Sequence, residues 1–221
     1  MTLRAECPRC PSELETVSDA GPDRWVCPLH GDITPLWRPE TAEYDALVEH
    51  LERAGSLPSW APWPLPPGWA MQDFGVVGRD GTAGATLVSC GGMSVTDGPV
   101  SLTVVTEEPG TGLGARVAGV VHEDPGAQTQ GRPVQTRTRI SGATVPLWLL
   151  STTGDAAGGG QPDDPWDRAV LVGEAQGRWV WLVVSPASAA LGLGDWEPLE
   201  DLGERGPELV ALPFGPRPSD W

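Results

Sequence analysis

Apolar and polar residues alternate in short runs over most of the chain from about residue 68, which is the pattern of half-buried β-strands. The clearest run is VQTRTRI at residues 134–140, whose even-numbered and odd-numbered side chains fall on opposite faces of a strand. Two longer runs, residues 74–92 and 168–185, are each interrupted by a short turn sequence, RDG and AQG. Each of these two runs therefore predicts a β-hairpin.

Further strands and a little helix complete the pattern in the C-terminal part of the chain. The segments VSLTVVTEE at residues 100–108 and TVPLWLLST at residues 144–152 predict two strands. Towards the end of the chain, residues 195–206 predict a helix and residues 208–215 predict a closing strand. We therefore expect residues 68–221 to form a mainly antiparallel α+β domain with one or two helices.

Residues 41–55, TAEYDALVEHLERAG, show the period of an amphipathic helix. Thr41 is the expected N-cap, and Gly55 is placed to end the helix. His50 lies beside the apolar stripe, and we expect it to be a partly exposed surface residue that binds no metal. The stripe itself is formed by Tyr44, Leu47, Val48 and Leu51.

Residues 57–69, LPSWAPWPLPPGW, are rich in proline and tryptophan, and we call this segment the strap. Its prolines exclude a helix or the interior of a sheet and favour extended polyproline II structure. One interpretation is a peptide that docks into the aromatic groove of a partner. We favour a strap whose own tryptophans pack onto the following domain, because three exposed indoles would form a large apolar patch.

Two short pairs of metal-ligand residues lie near the N-terminus, in the sequences CPRC and CPLH. Their spacing is Cys7-x2-Cys10, sixteen residues, then Cys27-x2-His30, which is typical of the tetrahedral zinc site of a zinc ribbon. Four protein ligands leave no position for water, so we expect one structural Zn²⁺. The alternative is a redox-active Cys7/Cys10 pair with an unrelated Cys27.

These patterns divide the chain into three regions and give an α+β fold class. We expect a small zinc ribbon at residues 1–40, a short helix and the connecting strap at residues 41–67, and the mainly antiparallel domain at residues 68–221. Because the chain has 11 Trp but only 2 Phe and 1 Tyr, indole rings must fill much of the core.

The charge of the chain restricts its partners and its location. Asp and Glu number 30 against 14 Lys and Arg, which gives a net charge of -16. Binding to a nucleic acid backbone requires a cationic surface, so the charge argues against a nucleic acid partner. The sequence also shows no apolar run of membrane-spanning length and no apolar N-terminal signal. We therefore expect a cytoplasmic protein with no membrane partner.

The segment TEEPGTGLGARVAG at residues 106–119 is the best candidate for a ligand site. It follows a predicted strand, and an anion could be cradled by Gly110, Gly112, Gly114 and Arg116. The segment lacks the lysine of a phosphate-binding loop and the βαβ context of a dinucleotide site. A tight structural turn is therefore the alternative that we favour.

No set of residues predicts catalysis. Cys90 is the remaining cysteine, and His122 with Glu123 or Asp124 could in principle activate its thiolate. No family signature surrounds Cys90, so we favour a buried thiol that acts as a small hydrophobic side chain. We therefore name no catalytic residue and favour a protein that is not an enzyme.

The order of these motifs is similar to that of an actinobacterial protein family of unknown function. Its members pair a C-P-x-C and W-x-C-x-x-H-G ribbon with a W-P-L-P-x-G-W strap, an E-E-x-G-x-G-L-G-A-R segment, a PLW strand and a G-E-A-x-G-x-W hairpin. The corresponding residues here are 7–10, 25–31, 63–69, 107–116, 146–148 and 173–179, so the resemblance covers nearly the whole chain. The resemblance implies zinc ligation by Cys7, Cys10, Cys27 and His30 and a shared turn at residues 110–116, and it implies no activity.

Together, the patterns favour a protein that binds one structural zinc ion and acts through contacts with protein partners. The closed ligand set, the acidic charge and the lack of a catalytic set all support this hypothesis. The alternative is a binder of, or an enzyme acting on, an anionic small molecule at residues 110–116. Nucleic acid recognition by the ribbon is a third hypothesis, which the charge disfavours.

Overall fold

The computed structural model describes residues 3–17, 24–121, 124–150 and 167–217, except for the side chains of residues 193–195. The first strands are β1 (Arg4–Glu6), β2 (Glu15–Val17), β3 (Arg24–Cys27), β4 (Gly31–Asp32), β5 (Leu36–Arg38) and β6 (Trp60–Pro62). The long strands that follow are β7 (Ala70–Arg79), β8 (Thr82–Ser94) and β9 (Gly98–Glu107). The last strands are β10 (Thr136–Ile140), β11 (Ala143–Leu150), β12 (Ala169–Ala175), β13 (Arg178–Ser185) and β14 (Leu199–Asp201).

The helices are short and few among these described residues. The α-helices are α1 (Tyr44–Ala54), α2 (Leu113–Ala118) and α3 (Gly126–Thr129). Three 3₁₀ helices follow, at Ala187–Asp195, Leu202–Glu204 and Gly206–Ala211. None of the described helices has both the length and the apolar character needed to span a membrane.

Eleven of the described strands form one sheet, in the order β1-β5-β7-β8-β9-β13-β12-β11-β10-β14-β6. All neighbouring pairs in it are antiparallel except β10 and β14, which are parallel at Ile140 and Leu199. A second, three-stranded sheet has the order β2-β3-β4. The mainly antiparallel fold that the sequence predicts is therefore confirmed.

Both predicted hairpins are present, and each has a two-residue turn whose second residue is glycine. The β7–β8 turn places Asp80 at φ 53° and Gly81 at φ 78°, and the β12–β13 turn places Gln176 at φ 54° and Gly177 at φ 76°. Positive φ at both central residues is the geometry of the turn whose twist matches that of paired strands. The short-range signals RDG and AQG therefore set the pairing next to each turn. The β7–β8 pair then shifts register between Val77 and Gly78 and again between Met71 and Asp73.

The long central strands are covered on both faces, so they are buried along most of their length. Along β8, Val88 and Cys90 belong to one apolar cluster, whereas Ala85 and Leu87 belong to a second cluster. Alternate residues of a strand point to opposite faces, so these two clusters lie on opposite sides of the sheet. Helix α1 and the strap contribute to the first cluster, and α2 contributes Leu113 to the second.

Helix α1 is shorter than predicted and presents a different face to the core. Thr41 is not its N-cap, because the helix begins at Tyr44 after Glu43, which makes no side-chain cap hydrogen bond. Gly55 ends the helix as predicted, with φ 58° and a hydrogen bond from its N–H to the Leu51 carbonyl oxygen. The buried positions are Ala46, Leu47, His50 and Ala54, and Tyr44 of the predicted stripe is exposed.

The prediction that His50 is a surface residue is wrong. Its side chain is 1% exposed, packs against the Phe74 ring and shares a 2.8 Å hydrogen bond with the Ser59 hydroxyl. Burial lowers the pKa of His50 to about 3, so the imidazole is neutral. The local pattern could not show this, because the covering residues come from the strap and from β7.

The strap packs onto the large sheet, as predicted. Trp60 lies in the core, and Trp63 and Trp69 pack against it while remaining partly exposed. The first part of the strap is β6, an edge strand that pairs with β14. A proline cannot donate to a strand ladder, so a segment this rich in proline is restricted to the sheet edge.

Two predictions near the C-terminus are wrong. Residues 195–206 do not form one helix, because β14 and the 3₁₀ helix Leu202–Glu204 lie within them. Residues 208–215 do not form a closing strand, because the 3₁₀ helix Gly206–Ala211 covers their first half. Asp201 accepts a hydrogen bond from the Ser59 N–H of the strap, and Gly206 takes a positive φ. A positive φ does not occur within a regular helix or strand, so no single element spans these residues.

Candidate metal centre

Two tight turns bring together the four residues that the sequence predicts as metal ligands. Cys7 and Cys10 lie in a turn after β1, and Cys27 ends β3. His30 lies in the turn between β3 and β4, and Gly31 takes a φ of 71° as it enters β4. The antiparallel pairing of Cys27 with Gly31 keeps the second turn short.

The ligand atoms are spaced for one tetrahedral ion. The His30 Nδ1 atom lies 3.5 Å from the Sγ atoms of Cys7, Cys10 and Cys27. In a tetrahedral site with bonds of about 2.3 Å to sulfur and 2.0 Å to nitrogen, that separation would be about 3.5 Å. All four ligand atoms lie within 4.8 Å of one another. The set can therefore hold one metal ion with four protein ligands.

Backbone amides support the sulfur atoms in both turns. The Arg9 N–H donates to Cys7 Sγ at 3.4 Å, and the Leu29 N–H donates to Cys27 Sγ at the same distance. Such donors stabilise a thiolate, which is the form that binds metals. Cys7 and Cys27 are buried, whereas His30 is exposed, so the imidazole forms the solvent side of the centre.

The geometry argues against the redox alternative for Cys7 and Cys10. Cys27 is not an unrelated residue, because its Sγ atom lies 3.5 Å from that of Cys10. A disulfide bond would require about 2.05 Å between the sulfur atoms, and all four cysteines of the chain are free. The three thiols and the imidazole are therefore one group.

The glycine-rich segment at residues 110–116 lies directly against the metal centre. The Arg116 side chain is 5% exposed, donates to the Cys7 carbonyl oxygen and contacts Glu6 Oε2 at 2.8 Å. In the other direction, Arg9 Nη2 donates to the Gly110 carbonyl oxygen at 2.6 Å. One arginine from each side therefore connects the first cysteine turn to this segment.

The glycines of this segment allow α2 to lie close to the sheet. Gly112 has φ 84° and precedes α2, and Gly110 has φ 87°. Gly114 lies over the Trp181 indole so closely that a Cβ atom there would collide with the ring. The structure thus places Gly110 and Gly112 in the chain path to α2 and Gly114 within α2. The fourth predicted ligand-site residue, Arg116, also lies in α2, and its side chain reaches the cysteine turn.

A chain of ion pairs continues from this junction into the large sheet. Arg38 on β5 lies 3.8 Å from Glu6, the residue that also contacts Arg116. The Arg38 Nε–H donates to Asp73 at 2.7 Å, and Arg217 reaches the same carboxylate at 3.5 Å. Asp73 is fully buried on β7, so the Cys3His group is connected to the core through alternating arginine and carboxylate side chains.

Glu107 is a buried acid whose role the sequence analysis missed. Its carboxylate accepts a hydrogen bond from Trp181 Nε1 at 2.7 Å and another from the Gly114 N–H at 3.1 Å. Burial raises the pKa of Glu107 to about 7, although these hydrogen bonds oppose the shift. The available sequence signal was an acidic residue at the end of a buried strand, just before a glycine-rich turn. In the structure this carboxylate holds the first turn of α2 through the Gly114 N–H.

Cys90 lies in the first apolar cluster, 1% exposed. Burial raises the pKa of its thiol to about 12, so the thiol stays neutral. His122 and Glu123, its hypothetical activators, lie outside the described residues. Asp124 is exposed and accepts a hydrogen bond from the Gly126 N–H.

Comparison with known proteins places the chain in a family without giving it an activity. No curated protein and no solved structure matches the chain. The family model that matches residues 1–220 is described as a family of unknown function, DUF6758. Since this match covers nearly the entire sequence, the chain belongs to the DUF6758 family.

Proposed function

We propose that this chain is a cytoplasmic, non-enzymatic protein that carries one structural Zn²⁺ and acts through contacts with other proteins. The observation that carries the proposal is the Cys3His group, whose four ligand atoms can fill a tetrahedral coordination sphere. A filled sphere leaves no place for a substrate or an activated water. The bound ion would hold the two ligand turns together.

Zinc is the ion that suits this ligand set best. Thiolate and imidazole together favour zinc over hard cations such as magnesium or calcium, which prefer oxygen ligands. The 3.5 Å separations of His30 Nδ1 from the sulfur atoms agree with zinc bond lengths. Cysteines that ligate a metal and form no disulfide are typical of a reducing compartment, which supports a cytoplasmic location.

The surface supports contacts with proteins more than contacts with nucleic acid. The net charge of -16 repels a phosphate backbone. Leu29, at the tip of the second ligand turn, is 73% exposed, and an apolar residue there can be covered by a partner. The ribbon thus offers an apolar tip that the ion would hold in a fixed conformation.

Three measurements test this proposal. Elemental analysis of purified protein should give about one zinc per chain, and cobalt exchange should give the absorption spectrum of a tetrahedral site with three sulfur ligands. Cross-linking in native lysate should then give a partner adduct that the Leu29→Asp variant loses while it retains zinc. Protein without metal, a cobalt spectrum with bound water, or turnover of a metabolite would contradict the proposal.

A second candidate function is the binding of a small anion beside the glycine-rich segment. A cleft of about 370 Å³ adjoins Gly110 and Thr111, and Arg9 and Arg79 line it. If the cleft binds anions, inorganic pyrophosphate should raise the melting temperature of the wild type and leave that of Arg79→Gln unchanged. The exposed Arg137→Gln variant is the charge-matched control, and its melting temperature should rise as the wild type's does.

A further inference from the structure

A groove of about 640 Å³ lies between the strap, the turn that joins β8 to β9, and the 3₁₀ helix Ala187–Asp195. None of the residues that line it belongs to the metal centre. The residues that matter for its chemistry are Trp69, Asp97, Ser188, Leu191, Trp196 and Glu197. The groove therefore combines aromatic, apolar and acidic side chains in one concave surface.

One wall of the groove is a pair of tryptophans. The Trp69 and Trp196 rings meet edge to face, with centroids 5.6 Å apart and an interplanar angle of 79°. Both side chains remain partly exposed, and Pro66 and Pro67 extend the same wall. Indole faces attract cations, and guanidinium groups most often occupy such positions in proteins.

The lining of the groove also includes a carboxylate, Asp97, that three hydroxyl groups hold in place. Asp97 Oδ2 accepts hydrogen bonds from Thr96 at 2.6 Å and Ser94 at 3.1 Å, and Oδ1 accepts one from Ser188 at 2.8 Å. The Ser188 bond connects the β8–β9 turn to the 3₁₀ helix, so it also fixes the width of the groove. Glu197 adds a second, exposed carboxylate to the lining.

We propose that this groove binds an arginine side chain of a partner protein. A guanidinium is planar, so it can stack on an indole while its N–H groups donate to Asp97. The net charge of -16 attracts a cationic segment, and Leu191, which is 92% exposed, can cover an apolar residue beside the arginine. The inference rests on the proposed function, in which the chain acts through protein contacts, and it names the surface and the partner chemistry.

The test uses the full zinc-loaded chain and the capped peptide acetyl-Gly-Arg-Leu-Gly-amide. The control peptide replaces arginine by citrulline, which has the same shape and no charge. The arginine peptide should shift the indole N–H resonances of Trp69 and Trp196 with a Kd of about 1 mM. The citrulline peptide should bind at least about fivefold more weakly, since it loses the charge-dependent contacts. Assignments come from Trp69→Phe and Trp196→Phe.

Matched variants distinguish binding in the groove from nonspecific attraction to the acidic surface. Asp97→Asn and Glu197→Gln should each weaken the arginine peptide severalfold, whereas Glu208→Gln, an exposed acid outside the groove, should not change binding. Thermal unfolding shows whether each variant is folded, and Glu197→Gln serves if Asp97→Asn is not. Equal binding of both peptides, or no shift at 20-fold the expected Kd, would overturn the inference. If the Leu29-dependent adduct still forms in that case, the proposed function stands without this groove.

Discussion

The Arg116 guanidinium donates a hydrogen bond to the backbone carbonyl oxygen of Cys7, although the two residues lie 109 positions apart. The same guanidinium contacts Glu6, and Arg9 donates in return to Gly110. The turn that contains Cys7 and Cys10 and the segment at residues 110–116 are thus two sides of one junction. We therefore expect a substitution on either side of this junction to change how well the protein retains a bound metal ion.

Removal of Arg116 should weaken both the fold and the metal centre. We expect Arg116→Ala to lower the free energy of unfolding by about 2 kcal/mol, because Glu6 and the Cys7 carbonyl lose a charged donor. Zinc transfer to a chromogenic chelator should also become faster than in the wild type. The exposed Arg137→Ala variant should show neither effect. Wild-type stability and zinc transfer in Arg116→Ala would show that the junction is unimportant.

The raised pKa of Glu107 predicts a stability that falls as the pH rises. Its folded-state pKa of about 7 lies above the ordinary glutamate pKa of 4.5, which applies to the unfolded chain. The folded protein therefore binds this proton more tightly than the unfolded chain does. The contribution is therefore complete below about pH 4.5 and is lost as the pH rises through about 7.

Urea unfolding at pH 6 and pH 8 tests this sign within a range where zinc should remain bound. The wild type should lose about 1 kcal/mol more than Glu107→Gln between the two values. Glu108→Gln removes a neighbouring carboxylate that pairs with Arg178 near the surface, and it should keep the wild-type dependence. A wild-type slope equal to that of Glu107→Gln would contradict the assignment.

The buried imidazole of His50 should stay neutral in mildly acidic solution. Its lowered pKa places its stabilising contribution above the ordinary histidine pKa of 6.5, and that contribution is lost as the pH falls towards 3. Nitrogen-15 NMR of the ring at pH 5 should therefore show the neutral form. A protonated ring at that pH, in folded protein, would refute the burial that the structure gives.

The Ser59 hydroxyl is the partner of His50 and connects the strap to α1. Ser59→Ala leaves a buried imidazole nitrogen without that partner, and we expect a loss of about 1–3 kcal/mol in the free energy of unfolding. Ser56→Ala, at an exposed position just before the strap, is the matched control and should change stability by less than about 0.5 kcal/mol. Chemical denaturation at pH 7 measures both.

The close approach of Gly114 to Trp181 should tolerate no side chain. We expect Gly114→Ala to lower the free energy of unfolding by about 1–3 kcal/mol, because the added Cβ must displace a fully buried indole. Gly84→Ala is the control, since its Cβ would meet only the Thr111 hydroxyl at 3.5 Å. Equal stability of the two variants would argue against close packing of α2 on the sheet.

The Cys3His group and the hairpins could be predicted because their signals are local. Cys7 and Cys10, like Cys27 and His30, are separated by two intervening residues within one turn, so spacing alone reveals each pair. The hairpin turns likewise depend on a glycine next to a residue that accepts positive φ. The family match over residues 1–220 confirms the predicted membership in a family of unknown function.

The sequence by itself predicted the Cys3His group and the antiparallel hairpins, since neighbouring residues set turn geometry and strand period. It also predicted the packing of the strap, since three exposed indoles would form a large apolar patch. Only the tertiary structure decided that His50 is buried, that Glu107 holds the start of α2, and that Arg116 meets Cys7. The partners in those contacts are separated by several to more than one hundred positions. These contacts depend on the order of strands in the sheet. The local alternation of apolar and polar residues does not predict that order.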